Sequence, residues 1–316
     1  MTSEDHTRLS DMRMHFVVPA SEEEIFGYFD AAAASAQSVY QPAAKAFRHS
    51  ILSALSTVAM PFHLANASVT QSHYRRFHSA ESIRMLKTTV PPSGEDLETF
   101  RAREAGRKAD LRMTEFFQSE DGRGLIIHDI SIFLLSSLQK NGIKSAAREL
   151  ILQGLVLLWS AFEVLFRDTF ETLLNQDPDR IKLLVNHPTT RKRFDAERLP
   201  LDVLVRHGYD LSARLGSVLI CQQDISDLPT VKAVYSVLFP GEAELRDAMA
   251  QGRLWTLYQC RHLVVHRRGI IDQAFLDATG EGHALDTQLV VTPQELEDLL
   301  AVVVSCGSAL VRSLVA

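Results

Sequence analysis

The stretch Leu150-Ile151-Leu152-Gln153-Gly154-Leu155-Val156-Leu157-Leu158-Trp159-Ser160-Ala161-Phe162-Glu163-Val164-Leu165-Phe166-Arg167-Asp168-Thr169-Phe170 decides the fold. Its apolar residues cover much of a helical circumference instead of one stripe, which places it at the centre of a bundle. The helical pattern runs from about residue 145 to 174 and stops at Asn175-Gln176-Asp177-Pro178. Residues 151–166 are interrupted by Glu163 and fall short of the ~18 apolar residues that a membrane span needs. A second apolar run, 299–316, is broken by Arg312. Both read as buried helices, and no membrane partner is expected.

Working outward, the same period recurs between clear stops. Ser21-Glu22-Glu23-Glu24 has the capping-box form and opens a helix towards Pro42. A second run, 43–60, is expected to end at Pro61. Pro91-Pro92-Ser93-Gly94 is the best linker signal, followed by a charge-dense helix from 95 to about 118. Asp121-Gly122-Arg123-Gly124 predicts a turn before a helix over 125–138. Weaker helices are expected around 179–185, 201–219 and 228–238, and another runs from 240 to 268 with a break near Gly252. Thr292-Pro293-Gln294-Glu295 is a second capping box, with proline at the first helical position, opening a last helix to about 314. The expected fold is all-α, a helical bundle with at most one short β-element near 287–291. The expected division is an N-terminal helical region, 1–118, and a bundle, 119–316.

Composition bounds what such a protein does. Of its 316 residues 46% are hydrophobic and 23% charged, the balance of an ordinary globular chain. A net charge of −6 argues against a general nucleic-acid coating protein, because nonspecific phosphate binding wants an excess of Lys and Arg. Cys221, Cys260 and Cys306 are odd in number and far apart, with neither disulfide nor zinc spacing, which suits a reducing cytoplasm. The N-terminus is polar and has no apolar signal-peptide core. P-loop, nucleophile-elbow, Cys-x-x-Cys and dinucleotide-loop patterns are absent, so no cofactor is expected.

One local stretch departs from the acidic average. From Arg253 to Ile271 there are four arginines, two histidines and no acidic residue. Within it, Arg261-His262-Leu263-Val264-Val265-His266-Arg267-Arg268-Gly269 puts an arginine and a histidine on an otherwise apolar helix with four residues between them. Arginine supplies a planar, permanently charged fork for phosphate. Histidine can take and give a proton near working pH. Four Arg/His pairs in the chain have spacings of this kind: Arg8 with His15, Arg123 with His128, Arg180 with His187, and Arg261 with His266. The first lies in a polar tail, the second straddles the expected turn, and the third ends at Pro188. Only Arg261/His266 sits inside a helical pattern. His262 and His266, four apart on that helix, could also clasp a metal. Leu263, however, stands where a zinc-protease helix carries its glutamate, and no metal is expected.

This segment resembles the Arg-x4-6-His signature of HEPN-domain proteins, and Trp159 to Asp168 resembles the early core helix of large HEPN families. The resemblance implies a metal-independent RNA endonuclease, a toxin or antiviral-defence effector, with RNA as substrate and a homodimer lining one cleft with two Arg–His pairs. It assigns Arg261 and His266 as catalytic, with Glu163 and His262 in support. Arg267 and Arg268 are expected to contact RNA, and an antitoxin or defence-system protein is a further expected partner. Arg261 or His262 would compensate Glu163, the one charge inside its apolar run. Positions five apart on an ideal helix lie about 140° from each other, so Arg261 and His266 do not share one face, and arginine's reach with a loosened last turn before Gly269 would bring them together. The competing implication is a non-catalytic HEPN-like binding or dimerisation module.

Overall fold

The computed structural model describes residues 3–89, 91, 94–194, 201–206 and 208–315. Its helices, in chain order, begin with α1 (Ser3–Arg13), α2 (Glu22–Ser35), α3 (Gln41–Val58) and α4 (Met60–Met85). There follow α5 (Leu97–Gln118), α6 (Glu120–Leu138), α7 (Asn141–Gln176), α8 (Ile181–Asn186), α9 (Arg191–Phe194) and α10 (Leu201–Arg206). The last six are α11 (Leu215–Gln222), α12 (Leu228–Leu238), α13 (Ala243–Ala250), α14 (Gly252–Arg267), α15 (Gln273–Thr279) and α16 (Pro293–Arg312). The fold is all-α. Among the described residues the β-structure is a single isolated antiparallel bridge, Ile270 to Gln288.

Local chemistry explains most of the boundaries. Both capping boxes form: Ser21 and Glu24 bond reciprocally at the start of α2, and Thr292 and Glu295 at the start of α16. The break expected at Pro61 is present, with α3 ending at Val58 and α4 starting at Met60, and the proline itself opens the second of these helices. It lies in the first turn of α4, where a missing N–H costs nothing. The turn expected over Asp121–Gly124 is instead the first turn of α6. The Ser119 side chain accepts from the Gly122 N–H at 3.0 Å and starts the helix five residues early. Of the expected linker, Pro92 and Ser93 lie outside the described residues.

The chain divides into two compact units, each assembled from separated segments. The first comprises Met1–Val18 and Val58–Glu149; the second, Pro19–Thr57 and Leu150–Ala316. The sequence-based boundary at 118/119 falls between α5 and α6, inside the first unit. In that unit Met12, Phe16, Ala65, Val69, Ile126, Ile130, Leu134 and Ala147 form a buried cluster. Two buried polar side chains of α4 are paired in this unit. His73, buried on α4, meets Asp129 at 2.8 Å, and buried Glu81 meets Arg84 and Arg112 at 2.7 and 2.8 Å.

The second unit is built on α7 from Leu150 onward. Trp159, Phe162 and Phe166 stack in sequence along it, with centroids 5.0 and 4.3 Å apart, and the Phe166 ring meets Tyr235 of α12 edge-on. The buried Tyr235 hydroxyl donates to the Phe166 carbonyl at 2.5 Å, satisfying the one polar atom of that ring inside the core. On α16, Gly307 lets α3 approach: a Cβ there would stand 2.9 Å from the Phe47 ring and 3.2 Å from Leu165. Gly216, in α11, is packed still closer, since its Cβ would lie 2.1 Å from the Glu171 carbonyl oxygen of α7. Among the described residues one helix, Gly142–Gln176, is long and apolar enough to cross a membrane, and 56% of its apolar window is buried within the protein.

Candidate functional site

The motif helix α14 is amphipathic for a plain reason: Leu254, Leu257, Cys260, Leu263 and Val264 recur at helical spacing and are buried. Tyr258 rests on Trp159 of α7 at 5.0 Å and on Trp255 at 5.5 Å, while the Trp255 indole N–H donates to the Ala278 carbonyl at 2.7 Å. α14 packs against α7 and α16 in this unit. Burial pushes the Cys260 thiol up to about 12, so it fills core and offers no nucleophile.

The helix ends at Arg267, one residue short of the expected 268. Arg268 already takes the left-handed conformation (φ 54), and Gly269 follows with φ 75. Both of their amides return to the Leu263 carbonyl. The departing chain is pinned by Leu289 N–H donating to Gly269 O at 2.7 Å and by the Gln288 side-chain amide donating to Arg268 O at 3.0 Å. The carbonyls of Leu263, Arg267, Arg268 and Gly269 therefore find backbone or side-chain donors at the helix end.

The side chains separate into two groups. His262 and His266 are both exposed, and their rings lie one helical turn apart with centroids at 4.5 Å. Arg267 and Arg268 are exposed beside them, with Arg267 Nε 3.6 Å from the Asp272 carboxylate. Both arginines sit at the negative end of the helix dipole. Among the described residues no cluster of three or more metal-capable side chains forms around the histidines.

Arg261 belongs to the other group. α14 remains α-helical through Arg267, so the loosened turn required to bring Arg261 and His266 onto one face is absent. The two positions point about 140° apart. Arg261 is partly buried, and its Nε is shielded from solvent with no hydrogen-bond partner among the described residues. Its charge acts on Tyr258 and on Glu163. Burial raises the Glu163 carboxyl above its ordinary value; Arg261 pulls it back, Asp224 pushes it up, and Arg167 and Trp159 lower it. No ion pair within 4.0 Å joins Glu163 to Arg261 or Arg167 among the described residues. The contact is electrostatic proximity, short of a salt bridge.

Glu163 instead opens onto a cleft of about 380 Å³, lined also by Arg167 and residues 220–226. Sequence reading missed this wall. Arg167, Gln222 and Asp224 carry no recognisable motif, and only the fold of α11 and its following loop brings them to α7. The one local clue is the turn chemistry of Asp224-Ile225-Ser226-Asp227, where Asp224 accepts from the Ser226 N–H at 2.9 Å and Asp227 caps α12 through the Thr230 N–H at 2.8 Å. Arg193 closes the loop from outside, donating to the Asp224 carbonyl at 2.6 Å.

Comparison with protein-family models, with curated proteins and with solved structures finds no match to this chain.

Proposed function

We propose that this protein is a HEPN-like, metal-independent endoribonuclease of toxin or antiviral-defence type, working in the cytoplasm as a homodimer. The observation that carries the reading is the exposed His262–His266 pair at the arginine-flanked end of α14. In the proposed reaction His266 takes the proton of an RNA 2′-hydroxyl, whose oxygen attacks the adjacent phosphorus. A second histidine protonates the leaving 5′-oxygen as the P–O5′ bond breaks. The products are a 2′,3′-cyclic phosphate and a 5′-hydroxyl, with no net redox change. His262 positions the His266 ring, and Arg267 and Arg268 hold the strand.

The offset of Arg261 from His266 supports a site completed by two chains. One protomer does not present both groups to one phosphate, whereas the arginine of one copy can face the histidine of another across a two-fold axis. Arg261 then stabilises the phosphorane. One observation favours the rival, a non-catalytic HEPN-like binding module: Arg261 lies partly buried near Glu163 instead of beside His266.

Incubation of the purified chain with labelled RNA in excess EDTA separates the two. Cleavage with cyclic-phosphate ends is expected, reduced roughly 100-fold or more by His266→Ala. Arg261→Ala is expected to be at least as damaging, and Arg261→Lys not to restore activity, because lysine lacks the bidentate fork. RNA left intact at high protein concentration overturns the catalytic reading in favour of the binding module.

A further inference from the structure

In the first unit, α4 sorts its residues by side. On a four-residue spacing Ala65, Val69, His73, Glu81 and Met85 turn inward and are buried. The outward surface of the helix and the turn after it carries Gln71, Arg75, Ser79 and Lys87 in one row. Ser68, Ser72, Arg76 and Arg84 form the next, and all eight are exposed. Glu81 is the one acid between His63 and Lys87, and it is 3% exposed. The outward surface therefore bears four cations and no anion. Arg75, Arg76 and Lys87 have no ion pair within 4.0 Å among the described residues. The short serines one turn from each of Arg75 and Arg76 leave room for a backbone to approach, and their hydroxyls add donors for phosphate oxygens.

The end of this surface is braced from within. Arg84 and, from α5, Arg112 both meet the same Glu81 carboxylate oxygen, at 2.7 and 2.8 Å. One buried anion thus fixes two partly exposed guanidiniums, and the three groups keep one positive charge in surplus. Two forks held side by side suit a phosphate, which accepts from both. The charge of the chain is divided to match. The first unit counts 15 Lys and Arg against 14 Asp and Glu, the second 18 against 25, so the acidity that disfavours nucleic acid lies in the second. A membrane surface fits worse. A helix lying among lipid headgroups inserts a continuous apolar face. The apolar side of α4 is instead buried in the core of its unit, and exposed Leu64 and Ile83 stand about 28 Å apart along the helix.

We propose that the outward face of α4 binds the phosphate backbone of a nucleic-acid strand, with Arg75, Arg76 and Lys87 on phosphates and the Arg84–Arg112 pair clasping one more. Its role as an anchor for the RNA to be cut rests on the ribonuclease reading above. Its affinity for a strand does not.

The test is fluorescence anisotropy of the full chain with a labelled 2′-O-methyl oligouridylate, a strand with no 2′-hydroxyl to attack, over a series of salt concentrations. Replacing Arg75, Arg76 and Lys87 together with alanine is expected to lower the slope of log affinity against log salt by about two units, at roughly 0.7 per phosphate neutralised on a single strand. Arg75→Ala and Arg76→Ala singly are each expected to give about a third of that change. Arg75→Lys with Arg76→Lys is expected to keep the slope, because counterion release counts charge; a merely structural role would not be rescued this way. Arg107→Ala, an exposed arginine of α5 held by Glu104 at 3.0 Å, is expected to leave the slope unchanged. Circular dichroism and melting temperature matching the wild type confirm that each variant folds. An unchanged slope in the triple variant, or an equal drop in Arg107→Ala, overturns the proposal. So does binding to phosphatidylcholine–phosphatidylserine vesicles without binding to the oligomer, or competition by polyglutamate as strong as by unlabelled oligomer. A lowered slope in a chain that leaves RNA intact keeps the surface and discards the nuclease. RNA cleavage by a chain whose slope the triple variant does not alter does the reverse.

Discussion

Replacing Gly269 with alanine tests whether the turn closing the motif helix is held as described. Two effects add. Alanine must adopt φ 75, which costs an L-residue roughly 1–2 kcal/mol. Its Cβ would also stand 2.8 Å from the Gln288 amide nitrogen, the far end of a flexible side chain, so Gln288 swings away. The bond it gives to the Arg268 carbonyl is then lost, worth about 0.5–1.5 kcal/mol. The remaining neighbour, Leu152 at 3.6 Å, is an ordinary contact and adds no penalty. The sum is about 2 kcal/mol, or a melting temperature lowered by roughly 4–8 °C for a unit of this size. Tryptophan fluorescence reads it selectively, because both tryptophans, Trp159 and Trp255, lie in the second unit. Gln288→Ala measures the hydrogen-bond part alone, and the double variant isolates the backbone part. Arg268→Gly should move the midpoint the other way, since it relieves a left-handed arginine. A loss below about 0.5 kcal/mol for Gly269→Ala, under the strain these dihedrals imply, would refute the reasoning, as would a cost no larger than that of Gln288→Ala.

Two further outcomes follow from the charges around the motif. If Arg267 and Arg268 contact RNA phosphates, removing either should lower the slope of log affinity against log salt by roughly one unit. Arg268→Ala should show the larger change, because Arg267 already leans on Asp272 at 3.6 Å; equal slopes in wild type and variants would exclude both from the strand. Glu163 predicts a pH effect on stability. Its carboxyl lies higher in the folded chain than its ordinary value, so the folded state holds the proton more tightly, and stability is lost as pH rises through the folded value. Glu163→Gln should therefore be more stable than wild type at neutral pH, with the gap closing as pH falls below the ordinary carboxylate value. A gap that widens on acidification would reverse the assignment.

What the sequence made legible was local. The capping boxes at Ser21 and Thr292 form because donor and acceptor are three residues apart, and α7 and α14 show themselves by period alone. Gly122 was misread for the same reason. Glycine punctuates helices at either end, and the side chain that settles the matter is Ser119, outside the Asp121–Gly124 stretch. Close approaches such as Gly216 on the Glu171 carbonyl leave no local trace. In the site, exposure of His262 and His266 follows from the apolar face opposite them. The direction of Arg261 required the regularity of the last turn, and the cleft wall at 220–226 required tertiary structure. Glu163 stood out as a charge in an apolar run, yet its neighbours on the other side of the cleft did not.

The interleaved ancestry of the two units along the chain has a consequence for synthesis. Phe26, Phe29 and Phe47 leave the ribosome early, whereas α16, which packs on α2 and at Gly307 on the Phe47 ring, emerges more than two hundred residues later. Until the last helix is made, those three rings have one another and Arg48 for company but lack the cover that α16 supplies. A single proteolytic cut or premature stop between the segments therefore orphans hydrophobic surface instead of releasing a finished domain. A fragment beginning at residue 119 would carry the whole motif helix and lack the aromatic pair, Phe29 on Phe47, of the same unit.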